Sequence, residues 1–422
     1  MRFRIRFVAF LLVFLLILPI FCIFLGDYLS KNDEISLFES GDYEVLEQKK
    51  PEKSGFSGVI SQSVLLGYSN ADKLSILSAF TTNGKTTVIL SSYGYLNRRV
   101  YCRLFDENRR ELSSNPVSVF PEFTVKCSAS TPKTARFVAV TVNKKDVPEN
   151  LHGIFSRENR GISEFSVCLA PIFGESPKVL MLIEFLEYYL LQGADNFLIY
   201  SYNITSETEK LLDFYKNRIN LEVIQIGNDT KCLNRHRCRH EMQLQDCVFR
   251  LQNHSKWVAT VDLDERIMPI KETSRIIDFL KDPLSPKIGE LRFRCQWTLR
   301  YSEIPPGPPE IQNLPMMTWR NTSHVAPQNH TTKSIIRPGH VDSMGVHGVQ
   351  KFRNPAFSVK LIDPEEAVVR HYRLVDGWSF FLKEAESFGA FFEYKMTDGL
   401  AGEILKRVKA RIEEFLEFSG VN

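Results

Sequence analysis

The sequence predicts an α/β protein: a mainly parallel sheet with helices, preceded by a small antiparallel β region and a membrane-length apolar run. Three observations carry this. From Ser163 onward, apolar strand-like segments alternate with segments of helical periodicity. Between Phe56 and about Asn150, short β-like runs are separated by turn signals. Phe7–Leu25 contains 19 residues without a charge. The chain has 422 residues, 43% apolar and 24% charged, as in globular proteins. Lys and Arg total 53 against 50 Asp and Glu, too balanced for a nucleic-acid binder, so no nucleic-acid partner is expected.

Residues 1–6 carry Arg2, Arg4 and Arg6 and read as a cytoplasmic tail. As a helix, the 19 residues of 7–25 would span about 28 Å, close to the hydrocarbon thickness. This predicts a retained signal-anchor and a single-pass type II topology. A cleaved signal peptide is the alternative, but its apolar region is shorter and ends in small residues. Residues 26–55 are polar and mixed in charge, and read as a stem. Sequons start at Asn203, Asn228, Asn253, Asn321 and Asn329, consistent with a lumenal chain. Beyond the anchor lie Cys102, Cys127, Cys168, Cys232, Cys238, Cys247 and Cys295. That odd number leaves one thiol free or joined to a second chain, so a disulfide homodimer stays open. Cys102 and Cys127 sit on two strand-like segments and are the expected pair. Cys232, Cys238 and Cys247, with His236 and His240, suit a local disulfide better than zinc, because no C-x2-C knuckle is present.

Residues 56–160 form the β-rich region. Thr86–Leu90, Arg99–Phe105 and Arg136–Val142 are its strands, and Asn83-Gly84, Asp106–Asn108 and Asn115-Pro116 its turns. The spacing predicts a small antiparallel sandwich. In residues 161–395, strands are expected at Phe165–Phe173, Phe197–Tyr202, Leu221–Ile226 and Trp257–Leu263. Helices are expected at Leu180–Gln192, closed by Gly193, at Ser206–Asn217, with Ser206 as cap and Glu209 completing a capping box, and at Glu241–Gln252. This order implies right-handed crossovers and a ligand at the carboxyl ends of the strands. Residues 396–422 hold an amphipathic helix, with Leu405, Val408, Ile412, Phe415 and Leu416 on one side.

The chemistry concentrates at Trp257–Pro269. A buried-type strand runs into Asp262-Leu263-Asp264-Glu265. Carboxylates at i and i+2 of an extended chain share one face and can reach one hard divalent cation, Mn²⁺ or Mg²⁺. The bland reading is a solvated strand-end turn.

This segment resembles the aspartate motif of GT-A glycosyltransferases, and Ala170–Glu175 resembles the first nucleotide-binding turn of that Rossmann-like fold. Glu184–Tyr189, Gly193-Ala194, Phe197–Tyr200, Val346–Val349, His371–Arg373 and the Trp378/Phe381/Lys383 spacing resemble glycosyltransferase family 92, over about residues 160–390. The resemblance implies a metal-dependent, inverting transfer of a hexose from a UDP-sugar donor to a glycan or glycoprotein acceptor. Characterised members are similar β-galactosyltransferases that use UDP-galactose on fucose of N-glycan cores. It implies Golgi membrane localisation with a lumenal catalytic domain. Asp262 and Asp264 are the expected metal ligands, Asp262 also meeting the nucleotide ribose. His347 and His371 both match family positions as a further metal ligand. Glu175 and Asn203 are expected beside the nucleoside, and Lys333, Arg337 and Arg373 beside phosphate. Trp297 is a candidate for stacking on a sugar. Glu303 is the first candidate for the general base that an inverting transfer requires, and Asp342 the second. A catalytically inactive lumenal glycan-binding relative is the alternative. A metal-dependent phosphodiesterase would need more ligands around a two-metal site.

Overall fold

The computed structural model describes residues 74–127, 130–148, 150–157, 163–227, 232, 237–271, 274–281, 284–304, 314–376 and 379–420. The expected tail, anchor and stem, the Asn228 sequon, His236 and Trp378 lie outside the described residues. Among the described residues, no helix is long and apolar enough to cross a membrane.

The β-rich region is a two-sheet sandwich. One sheet has the order β5-β2-β1-β8, from Thr124–Lys126, Lys85–Leu90, Ile76–Thr82 and Phe155–Ser156. The other has the order β4-β3-β6-β7, from Glu111–Ser118, Arg99–Phe105, Phe137–Thr141 and His152–Gly153. Inward residues of both sheets, among them Val88, Leu90, Val100, Leu104 and Val138, form one core. The Asn83-Gly84 turn is present with both φ angles positive (49° and 66°). The Cys102–Cys127 disulfide joins the two sheets, with Cα atoms 5.7 Å apart. Two expectations need correction. The sandwich is not wholly antiparallel, because β8 runs parallel to β1. Asn115-Pro116 is no turn: Pro116 lies within β4, an edge strand where a missing N–H is tolerated.

The larger sheet has the order β11-β10-β9-β12-β17-β14-β20. Its parallel half comprises β9 (Ser163–Gly174), β10 (Asn196–Ile204), β11 (Leu221–Gln225) and β12 (Ser255–Val261). Beyond β12 the sheet is mixed. β17 (Lys333–Ile336) is antiparallel to both β12 and β14 (Ile288–Phe293), and β20 (Ser358–Leu361) is parallel to β14. A second sheet, β13-β21-β15-β16-β22, starts with Glu265–Pro269 directly after the aspartates. It continues through β21 (Ala367–Leu374), β15 (Cys295–Arg300), β16 (Asn321–Thr322) and β22 (Phe392–Glu393). Between β17 and β20 the chain forms a hairpin, β18 (Val341–Gly345) with β19 (Gly348–Phe352).

Helix α1 (Val179–Leu191) is buried almost all round, which explains its near-continuous apolar run. It ends at Gly193, φ +94°, where an added Cβ would lie 2.6 Å from Ile277. Its two fully buried acids are paired: Glu184 with Arg266 at 3.2 Å, Glu187 with Arg411 at 2.8 Å. Helix α2 (Ser206–Lys216) is capped one residue earlier than expected, by Thr205, whose hydroxyl accepts from the Thr208 N–H at 3.4 Å. Helix α3 (Cys238–Leu251) begins three residues before its expected start. Its cysteines overturn the zinc reading, since Cys232 bonds Cys238 and Cys247 bonds Cys168 on β9. Among the described residues Cys295 is the free thiol and is fully buried, so it cannot link two copies as placed.

Four further α-helices follow among the described residues: α4 (Ile276–Lys281), α5 (Pro315–Thr318), α6 (Ser379–Glu386) and α7 (Asp398–Ser419). Helix α7 packs Ile404, Val408, Ile412 and Phe415 into the α1/α2 face of the sheet, so the C-terminal segment belongs to the main core. The opposite face is covered by α3 together with Leu77, Phe80, Ile89 and Phe123 of the sandwich. Polar contacts fix that joint: the Ser78 hydroxyl and the Tyr200 hydroxyl (2.6 Å) both donate to Asp246, which also pairs with Arg250 at 2.7 Å. The described residues fall in one compact unit.

Candidate active site

β12 ends at the rim of the sheet, and the chain turns sharply through Asp262-Leu263-Asp264. Glu265 closes this turn by accepting the Asp262 N–H at 2.8 Å. β13 then pairs with β21 so that Glu265 faces His371, and the Tyr372 N–H donates to the Asp264 carbonyl at 2.8 Å. β17 runs antiparallel to β12 with Thr260 opposite Ser334, which brings Lys333 to the end of β12 and beside Asp262. His240 arrives from the first turn of α3.

These placements gather a charged cluster. Lys333 Nζ is 3.0 Å from Asp262 Oδ1 and 3.0 Å from Glu265 Oε2. His371 Nε2 is 3.3 Å from Asp264, and its Nδ1 is 3.5 Å from Glu265. His240 Nε2 is 3.6 Å from Asp262. The Asp262 and Asp264 side chains are 32% and 24% exposed, whereas Glu265 is 2% exposed. The two aspartates can therefore meet a ligand; Glu265 braces the turn.

Burial opposes charge on Asp262, but the Lys333 ammonium, then His240 and His371, hold its pKa well below the usual carboxylate value. Burial likewise opposes charge on Asp264, and His371 outweighs it. Burial and the neighbouring Asp262 push Glu265 up against the pull of Lys333. Burial would lower His371, yet Asp264 and Glu265 raise it well above the ordinary imidazole value. Burial pushes His240 and His347 down to about 4, assisted by the positive charge of Lys333. At neutral pH the site without a cation thus holds two ionised aspartates beside two neutral imidazoles, His240 and His347, and a protonated His371.

The other expected residues scatter. His347 stands near this cluster but is bound elsewhere: its Nδ1 is 3.2 Å from the Thr332 carbonyl and its Nε2 3.4 Å from Arg237. Glu175 is exposed just past β9, and Asn203 is exposed at the end of β10 with φ +46°. Glu303 is 69% exposed and 3.5 Å from Arg300. Asp342 is a correction. It is paired with Lys126 of the sandwich and with Lys351 at 3.2 Å; burial opposes its charge, but the two lysines together lower its pKa, which suits a joint and not a base. Trp297 is 2% exposed among His330, Phe381 and Phe388, so it is a core residue that cannot stack on a sugar. Arg337 lies 4.5 Å over the Trp257 ring, at the opposite end of β12 from the aspartates. Arg373 lies 4.7 Å over Phe381.

Two features escape sequence reasoning. His240 was grouped with the cysteines, yet its ring faces Asp262. At the ends of β9 and β10, the Phe173 and Tyr202 rings stack at 4.8 Å, and Arg239 lies 4.2 Å over Tyr202. Phe173 stays 53% exposed, so this platform faces solvent.

A divalent cation fits the chemistry of the donors. Asp262 and Asp264 are hard, ionised and reachable, and the buried Nε2 of His371 has no aligned hydrogen-bond partner. Among the described residues, no three His, Cys, Asp or Glu side chains already converge on one point. An ion here would need oxygen atoms from its ligand to complete its shell.

A partly parallel α/β sheet with paired carboxylates at a strand's carboxyl end places a ligand site at the rim of the sheet, and the sequence match gives its class, a glycosyltransferase. The chain belongs to glycosyltransferase family 92, whose model matches residues 163–404. A beta-1,4-galactosyltransferase, galt-1 of Caenorhabditis elegans, is 23% identical over 190 residues, covering 44% of this chain and 42% of that protein. The match thus spans less than half of that relative's length. Among solved structures, S. aureus TarS 1-349 is 15% identical over 60% of this chain and 72% of its own, with a TM-score of 0.27. The mannosyltransferase PcManGT from Pyrobaculum calidifontis, in complex with GDP-Man and Mn²⁺, is 11% identical over 62% of this chain and 75% of its own, with a TM-score of 0.32. With overlaps this low, the family assignment rests on the sequence match.

Proposed function

We propose that this chain is a metal-dependent, inverting GT-A glycosyltransferase that moves galactose from UDP-galactose onto a glycan, with fucose of an N-glycan core as the first acceptor to try. The observation that carries the reading is the pair of ionised, partly exposed aspartates at the end of β12, next to a buried lysine and His371. Mn²⁺ or Mg²⁺, held by Asp262 and Asp264 and by His371 once the cation has displaced its proton, would offset the charge that develops on the departing diphosphate. Lys333 keeps Asp262 ionised. The Phe173–Tyr202 stack offers a flat apolar seat for the uracil ring, with Glu175 and Asn203 nearby at the same strand ends. Glu303 is the base that takes the acceptor proton. The galactose assignment is supported by the likeness to the nematode galactosyltransferase. We place the enzyme in the Golgi membrane as a type II protein anchored by residues 7–25.

The test is a donor screen with residues 27–422 secreted from a cleavable leader, Mn²⁺, and UDP-galactose, UDP-glucose, UDP-N-acetylglucosamine and GDP-mannose. UDP-galactose should be turned over fastest, and chelation should stop it. A protein that turns over none of them, and that UDP plus Mn²⁺ does not stabilise, is a glycan-binding relative instead. If the fragment stays with membranes, the single-anchor topology is wrong.

A further inference from the structure

A cleft of about 890 Å³ separates the sandwich from α3 and the β18–β19 hairpin, within the size range of small-molecule sites (about 300–1,000 Å³). We infer that this cleft holds the oligosaccharide acceptor, so that the sandwich, and not the catalytic sheet alone, selects the substrate. The inference rests on the glycosyltransferase reading above.

The first turn of α3 orients the argument. Successive helical residues point about 100° apart. Arg239 points to the Tyr202 ring at 4.2 Å, His240 to Asp262 at 3.6 Å, and Glu241 lines the cleft. Asp262 therefore lies between the aromatic platform and the cleft. A nucleotide sugar with its base on the platform and its diphosphate at the aspartates would direct the sugar toward the cleft mouth. Arg237 and His347 stand at that mouth, 3.4 Å apart, and both line the cleft. His347 is also bonded to the Thr332 carbonyl, next to Lys333, so the cleft ends beside the charged cluster.

The lining suits a sugar chain. Phe120 and Leu96, on the sandwich side, are 47% and 46% exposed, and Tyr93 lies beside them. Such surfaces cover the C–H faces of sugar rings, while arginines and carboxylates bond the hydroxyls. Arg98 and Glu122 supply these on the sandwich, facing Arg237 and Glu241 across the gap. Glu122 is fixed by the Gly94 and Tyr95 N–H groups at 3.1 and 3.0 Å, so the wall is ordered before a ligand arrives.

The experiment uses the secreted fragment with UDP-galactose and Mn²⁺ on an array of N-glycans, O-glycans and glycolipid glycans. For any glycan that is galactosylated, Phe120→Ala and Arg98→Ala should each raise the acceptor KM at least tenfold. Donor KM and acceptor-free hydrolysis of UDP-galactose should stay within twofold, which also shows that the variants fold. Phe120→Tyr should restore the acceptor KM. Unchanged acceptor KM in both alanine variants overturns the inference, and so does an equal rise in donor KM. Wild-type protein that hydrolyses the donor but neither binds nor modifies an array glycan also overturns it. A wild-type protein without donor turnover instead defeats the functional reading.

Discussion

Replacing Lys333 by Met tests the logic of the charged cluster directly. The ammonium sits 3.0 Å from carboxylates of both Asp262 and Glu265 and is 2% exposed. At that distance, with an effective dielectric constant of about 20, each contact is worth about 5 kcal/mol before desolvation is counted. Desolvation of the ammonium offsets much of this. What remains to be lost is the cost of leaving the buried Glu265 carboxylate without its lysine, about 3–5 kcal/mol. Denaturant unfolding should show a loss of that size. Adding Glu265→Gln to the Lys333→Met variant should recover at least about 1 kcal/mol, because the pair is then removed rather than broken. Donor turnover should also fall, and more at pH 6 than at pH 8. Lys333 depresses the Asp262 pKa, so without it the carboxylate protonates as the pH drops. A Lys333→Met protein within 1 kcal/mol of wild type (about a fivefold change in the folding equilibrium), with an unchanged pH profile, would refute the assignment.

Other consequences follow from the same geometry. Asp264→Ala should lower transfer and donor hydrolysis by about 10²-fold or more while secretion and melting temperature hold, and full activity would remove the metal assignment. Glu184, fully buried against Arg266, has its pKa pushed up to about 7 by burial. A carboxyl raised in the fold above its unfolded value binds its proton more tightly when folded, so its contribution is present below about pH 4.5 and is lost as the pH rises to about 7. Melting temperature should fall across that window, and Glu184→Gln should flatten the profile. Replacing Cys168 and Cys247 by Ser opens a link across 79 residues and should cost about 2–5 kcal/mol in denaturant unfolding, with no new free thiol appearing in the wild type under non-reducing conditions.

The parallel half of the sheet was legible because βα alternation is a local pattern; each strand or helix announces itself within about a dozen residues. The mixed half was not. β17 is four residues long and owes its direction to partners far away in the chain. Asp262 and Asp264 could be singled out because adjacent residues place them at a strand end. His240 could not, because its role depends on the rotation of α3 against β12. Asp342 was misread for a related reason: the lysine that claims it lies 216 residues earlier. The acids of α1 illustrate the converse. Glu184 and Glu187 sit in one of the segments that resemble the family, yet both are spent on buried ion pairs, so a family motif here records packing as well as chemistry.

The joint at Asp246 bears on how such enzymes can be recombined. One carboxylate takes a hydroxyl from the sandwich and another from β10, along with the Arg250 guanidinium. Cutting the chain at the apparent border near residue 160 would strand that network and bare the apolar patch around Phe80 and Phe123. Chimeras grafting a foreign leader should be spliced upstream of Leu74, carrying both modules as a single cassette.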